Sequence, residues 1–153
     1  AVETAAELFA RQGYNGTGLT ELIETSGTPK GSFYFNFPGG KEELAEAALD
    51  LSGSRLEAAI RIVAENSKSP AEFLNTVIDA LIASVKASDY EVGCPIAPVA
   101  LEAATTSEPL RSAAVEQFDA WQEAIATGLT TFITSGRGAS RASYVSTRTS
   151  WPY

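Results

Sequence analysis

The sequence predicts an all-α protein. An N-terminal three-helix, helix-turn-helix part over residues 1–40 is followed by a helical bundle over 41–135 and a tail over 136–153. Three observations predict this. Apolar residues recur every three to four positions through most of the chain, which is the amphipathic-helix period. Alanine is abundant, while the alternating β-branched runs that mark strands are scarce. The interruptions fall at Gly, Pro and Ser/Thr/Asn positions, where helices start and stop.

Residues 2–12 place Val2, Ala5, Ala6 and Phe9 on one side and Glu3, Glu7 and Arg11 on the other, and Gly13 is expected to end that helix. Thr17 is expected to cap a second helix with the stripe Leu19, Leu22 and Ile23, closed by Gly27. Thr28 and Pro29 open a third, from Lys30 to about Phe35, because proline at a first helical position loses no hydrogen bond. Pro38, Gly39 and Gly40 close it. Residues 41–65 form a long helix with Leu44, Ala48, Leu51, Ala59 and Val63 along one side.

After a break at Asn66 to Pro70, residues 71–86 carry two rows, Phe73/Val77/Leu81/Val85 and Leu74/Ile78/Ile82. A stripe that wide predicts a helix buried in the middle of a bundle. Asp89 to Gly93 reads as a loop, and Pro95 starts a short helix through Ala104. A final long helix runs from Glu108 to about Ile133 with the row Leu110, Ala114, Phe118, Trp121, Ile125, Leu129 and Phe132. Residues 136–153 hold six Ser or Thr, three Arg and no acid, so this tail is expected to be disordered, atypical or discontinuous with the rest.

The composition excludes several functions. With no His and a single Cys94, Ser-His-Asp and Cys-His catalysis, zinc fingers and cysteine-ligated clusters are ruled out. No paired carboxylates sit in a catalytic setting, and Glu102, Glu108, Glu116 and Glu123 read as a solvated face; we expect no enzyme, metal or cofactor. No apolar stretch approaches the ~18 residues of a membrane span, and no signal peptide is visible, so a cytoplasmic location and no membrane partner are expected. The chain contains no Met, which leads us to expect that the numbering begins inside a longer protein. Cys94 has Asp89 and Glu91 nearby rather than a cation to activate it, and reads as a small packed residue. The net charge of −8 argues against a general polyanion binder but leaves room for one small DNA-reading module.

Residues 13–44 carry the chemistry. Two short helices joined by a tight turn at Gly27 have helix-turn-helix spacing, in which the second helix enters the major groove. On that second helix Gly31 leaves a bare surface, Ser32 can bond a base edge or phosphate, and Lys30 and Tyr34 suit phosphate. Lys41 begins the next helix, where free N–H groups favour an anion. Phe33 and Phe37 anchor the helix instead. The charge count gives no support, since Arg11, Lys30 and Lys41 face Glu3, Glu7, Glu21 and Glu24 over residues 1–41.

The run FARQGYNGTGLTELIETSGTPKGSFYFNFPGGKEEL resembles the DNA-binding module of the tetracycline-repressor (TetR) family. The shared positions are Leu8-Phe9-Ala10, Gly13-Tyr14, Thr17, Leu19, Gly27, Lys30-Gly31-Ser32, Tyr34, Phe37-Pro38 and Lys41-Glu42-Glu43-Leu44. Gly39-Gly40 and the stretch Gly93-Cys94-Pro95-Ile96 look like the branch related to lincomycin- and flavonoid-responsive repressors. The resemblance implies a symmetric homodimer on double-stranded operator DNA, with a helical ligand-binding and dimerisation domain behind the DNA-binding helices. It places Thr17 and Thr20 at phosphates, Lys30, Gly31, Ser32 and Tyr34 on the recognition helix, and Lys41 at the backbone-contacting lysine. Phe35 and Asn36 stand where the family often has histidines, and Thr20 replaces a frequent arginine.

The resemblance also implies a cavity among the later helices. Phe73, Val77, Leu81, Cys94, Phe118, Trp121 and Ile125 are expected to line it, for a small hydrophobic or aromatic inducer that makes the protein release DNA. The rival reading is a helical interaction or small-molecule-binding module that has lost DNA binding.

Overall fold

The computed structural model describes residues 1–134, so expectations about the tail lie outside the described residues. Among the described residues there are seven α-helices and no strand: α1 (Val2–Gly16), α2 (Leu19–Thr25), α3 (Lys30–Asn36), α4 (Lys41–Asn66), α5 (Pro70–Ala87), α6 (Ala97–Ala103) and α7 (Glu108–Thr134). The all-α expectation holds. None of these helices is long and apolar enough to cross a membrane.

The first helix is interrupted at its expected end, and one further turn follows. Gly13 adopts φ 75° and ψ 175°, so α1 breaks there and resumes for one turn to Gly16. Thr17 therefore closes α1, its backbone N–H donating to the Tyr14 carbonyl at 3.4 Å. The N-cap of α2 falls to Gly18 and that of α3 to Pro29, neither with a side-chain cap, and not to Thr17 and Thr28 as expected. The cap of α5 is complete: the Ser69 hydroxyl accepts from the Glu72 N–H at 3.2 Å, with Pro70 opening the helix.

Helices α4 and α7 lie side by side and run the same way. Ser107 donates to Glu42, Gln117 donates to Asp50 at 2.8 Å, and the Trp121 indole N–H donates to the Gly53 carbonyl at 2.8 Å. Their backbones approach closely at two glycines. A Cβ at Gly53 would overlap the Gln117 side chain, and one at Gly128 would come within 2.9 Å of Ala64 and of the Phe73 ring. The buried line of α7 is accordingly Leu110, Ala113, Ala114, Gln117, Ala124, Gly128 and Phe132.

Two apolar cores result. The first joins Ala5 and Phe9 of α1, Leu22, Phe33, the start of α4 (Leu44 to Leu49), Ile96, Val99 and Ala103 around α6, and Leu110 to Ala114. The second holds Ile60, Phe73, Val77, Ala124 and Phe132, and Trp121 packs against both. Fully buried Phe9, Phe33 and Phe73 would each cost about 3–5 kcal/mol on truncation to Ala.

The expectation that α5 is buried on two sides fails. Phe73 and Val77 are buried against α4 and α7, while Leu74, Ile78, Leu81 and Ile82 are exposed, because no other described helix packs on that side.

Candidate functional site

Helix α3 is a short rod with one anchored and one open side. Phe33 is fully buried, its ring 5.4 Å from Tyr34 and 5.5 Å from Phe37. Lys30, Gly31, Ser32, Tyr34, Phe35 and Asn36 all face solvent. Nothing lies within 4 Å of where a Gly31 Cβ would stand. Asn36 folds back along the helix, its amide donating to the Ser32 carbonyl at 2.7 Å and the Ser32 hydroxyl oxygen at 3.4 Å. That leaves the Ser32 proton free to point outward. The turn before α3 is tied by Ser26, whose hydroxyl donates to the Ile23 carbonyl at 3.1 Å and lies within hydrogen-bond distance, 3.0 Å, of the Thr28 hydroxyl. Thr20, in the first turn of α2, is exposed on the way into this corner.

A polar junction sits behind the corner. The Thr17 hydroxyl donates to the Gly13 carbonyl at 2.7 Å and is fully buried. The Lys41 ammonium donates to the carbonyls of Tyr14 at 2.8 Å and Thr17 at 2.9 Å and lies 4.1 Å from the centre of the Tyr14 ring. Burial pushes the Lys41 pKa down, against the upward pull of Glu102. Glu102, from α6, accepts the Asn15 N–H at 2.6 Å. A Cβ at Gly13 would overlap its carboxylate, so the break in α1 is also its seat. Eighty-seven residues separate Glu102 from Asn15 in the chain, and nothing in the sequence distinguishes it from the solvated glutamates.

A cavity of about 450 Å³ opens among α4, α5, α7 and the loop before α6. Its walls are Leu56 and Ile60; Val77, Leu81, Ser84 and Val85; Gly93, Cys94 and Pro95; and Trp121 and Ile125. Cys94 carries the one titratable side chain in this lining, so the site suits a neutral apolar guest. Because the Trp121 indole N–H is engaged with the Gly53 carbonyl, Trp121 offers a guest its ring rather than a donor.

Comparison with known proteins bears on both halves. The family described as bacterial regulatory proteins, tetR family, matches residues 1–48. The C-terminal domain of LmrA/YxaF-like transcriptional regulators matches residues 70–149, more than half of the chain. The chain belongs to the TetR family. It is similar to the uncharacterised HTH-type transcriptional regulator YxaF of Bacillus subtilis (strain 168), at 37% identity over 82% of this chain and 65% of the relative. It is also similar to the HTH-type transcriptional regulator LmrA of the same organism, at 38% identity over 78% of this chain and 64% of LmrA. The chain thus spans just under two thirds of the length of these relatives. The matched families and relatives are transcriptional regulators, not enzymes.

Among solved structures, a TetR-family regulator from Cytophaga hutchinsonii shares 28% identity and a TM-score of 0.68, over 88% of this chain and 66% of that one. Reduced NemR from E. coli has a TM-score of 0.78 at 21% identity, over 88% of this chain and 69% of NemR, and shows the fold alone.

Within this TetR-family chain, α3 brings Lys30, Gly31, Ser32 and Tyr34 together on the open side of the head, the part formed by α1–α3. Thr17 and Lys41 are placed otherwise. The Thr17 hydroxyl turns inward, and the Lys41 ammonium satisfies carbonyls at the end of α1. Of the expected cavity residues, Val77, Leu81, Cys94, Trp121 and Ile125 line the space. Phe73 and Phe118 do not. Phe73 is fully buried against Phe132, with ring centres 6.2 Å apart, and Phe118 is 41% exposed, edge-on to Trp121. Leu56 and Ile60 of α4, Ala80, Ser84 and Val85 of α5, and Gly93 and Pro95 complete the wall; the helix residues' places follow from how α4 and α5 cross, which no local spacing encodes.

Proposed function

We propose that this protein is a ligand-responsive transcriptional repressor. It binds double-stranded operator DNA as a cytoplasmic homodimer through α2 and α3, and releases the DNA when a small hydrophobic, aromatic molecule enters the cavity behind Trp121. The observation that carries the reading is the pairing of an open, polar-edged α3 with an apolar cavity in one fold. One short recognition helix covers a single half-site, and a two-fold partner supplies the second.

The two sites share a physical connection. Gly93, Cys94 and Pro95 wall the cavity, Ile96 and Val99 sit in the core of the head, and Glu102 at the far end of α6 holds the break in α1. A guest that favours another position of the Gly93–Pro95 wall shifts the populations of α6 and, through Glu102, of α1 and the corner beyond it. Ligand affinity and DNA affinity then oppose each other by the same factor.

The test begins with selection of duplexes from a random library by the protein. The selected duplex is titrated with salt, then with planar aromatic compounds. The reading expects enrichment of a two-fold symmetric sequence, a salt-dependent affinity and its loss with at least one compound. Absence of any enriched duplex would instead favour a helical module without DNA binding.

A further inference from the structure

The open side of α3 carries an unusual side chain for its position. Phe35 is 86% exposed, the most exposed large apolar residue among the described residues. The aromatic neighbours on α3 are accounted for differently: Phe33 is buried, Phe37 packs beside it, and Tyr34 is 44% exposed with its ring edge-on to Phe33. Phe35 has no polar atom, so it cannot bond a phosphate or a base edge.

Its neighbours on the helix surface are the residues four and three positions earlier, Gly31 and Ser32. Helical side chains lean toward the N-terminus, so the Phe35 ring covers the turn that holds Gly31. Gly31 adds no side chain there. The surface therefore presents one flat apolar ring beside one hydroxyl, Ser32, whose oxygen is already engaged by Asn36.

Helix α3 has seven residues, about 10 Å of rise, and a major groove is about 12 Å wide. A helix this short fits within the width of the groove. The one apolar feature that base pairs display there is the C5-methyl of thymine.

We infer that Phe35 is a specificity-determining residue that reads thymine, its ring lying against the C5-methyl of a thymine in each operator half-site. The inference rests on the proposed DNA binding and goes beyond it by naming the base and the atom. The electrostatics of the head make such a contact consequential. Among its described residues Arg11 is paired with Glu91 and Lys41 is engaged with backbone carbonyls, which leaves Lys30 as the cation facing out from α3. On that helix Lys30 supplies the charged contact and Phe35 the apolar one.

The experiment uses the 153-residue protein and a duplex it has selected from a random library. Each thymine is replaced in turn by deoxyuridine, which removes only the methyl group, and affinity is read by fluorescence anisotropy. At one symmetric position per half-site, uracil is expected to weaken wild-type binding about fourfold, the worth of one buried methyl. Phe35→Ala, which removes the contact from both half-sites, should bind the thymine duplex at least about fifteenfold more weakly and no longer distinguish uracil, while Phe35→Leu should keep part of the discrimination. Since Phe35 is exposed, both variants should melt with the wild type. Uracil tolerated at every position, or a uracil penalty unchanged in Phe35→Ala, overturns the inference while DNA binding stands. If no duplex is selected, the DNA reading fails and the inference fails with it.

Discussion

A lysine opening a helix beside the α2–α3 corner invites assignment to a phosphate, yet Lys30 and Lys41 stand in different surroundings. Lys41 closes α1 by donating to two carbonyls over the Tyr14 ring, whereas Lys30 faces solvent at the first position of α3. We expect Lys30→Ala to weaken binding to all duplexes and to reduce the slope of log affinity against log salt by about 1 for each phosphate left without its lysine. Ser32→Ala should instead change sequence preference, by about 1–3 kcal/mol at one base pair. Lys41→Ala should lower the melting temperature before it changes preference, because it frees carbonyls at the end of α1. Melting curves beside filter-binding titrations would separate these outcomes; a Lys41→Ala protein with normal melting and no remaining salt dependence would count against this division. Glu46 offers a second check at this scale. Burial raises its pKa, and Glu42, Glu43 and Asp50 raise it further. A carboxyl that holds its proton more tightly folded than unfolded destabilises the fold once ionised, and that penalty disappears as the pH falls through its folded pKa. Glu46→Gln should therefore melt above wild type at pH 7, with the gap closing as the pH falls through the carboxylate range.

At the scale of elements, α6 is the short helix with the longest reach. It follows directly from the Gly93–Pro95 cavity wall, buries Val99 and Ala103 in the core of the head, and ends on Glu102 at the break in α1. A hydrogen bond to a charged acceptor contributes about 1.5–3 kcal/mol, against about 0.5–1.5 for a neutral one. Glu102→Gln should keep the shape and weaken the tie. We expect inducer binding to the free protein to be unchanged and the inducer's effect on DNA affinity to shrink severalfold, with Glu123→Gln as a solvated control; equal coupling in both variants would remove α6 from the route. Element by element, the helices are legible in the sequence because apolar spacing and Gly/Pro breaks are local signals. The open face of α3 is legible for the same reason, since Lys30, Ser32 and Tyr34 lie within one helix. The Glu102 seat is not, because its partner is 87 residues away. Nor is the true buried line of α7. Spacing alone favours Phe118, but the close approach at Gly53 selects Gln117 and leaves Phe118 outside. The two rows of α5 are as apolar as the sequence states, yet one of them is exposed, because a stripe states what a helix can bury and not what lies opposite.

At the scale of the molecule, Trp121 stands where the two cores and the cavity meet. It packs against the head-side cluster and the far cluster, donates its indole N–H to the Gly53 carbonyl of α4, and presents its ring to the cavity. A planar aromatic guest that stacks on this ring changes its surroundings and quenches or shifts its emission. The chain has a second tryptophan, Trp151, so the measurement belongs in a Trp151→Phe background where the signal comes from Trp121 alone. We expect saturable fluorescence changes with planar aromatic compounds. Trp121→Ala should weaken inducer-driven release while operator binding without inducer persists. Truncating so large a residue also opens the junction of both cores, at about 3–5 kcal/mol, so loosened packing is a second route to the same failure of release. Trp121→Phe separates the two effects. It keeps an aromatic face and most of the packing but removes the hydrogen bond to Gly53, so it should bind the inducer measurably, melt close to wild type and still release the operator. If Trp121→Phe and Trp121→Ala both release DNA at wild-type inducer concentrations, the guest does not stack on this ring. The cavity would then be a packing defect between α4, α5 and α7, and the trigger for release would lie elsewhere.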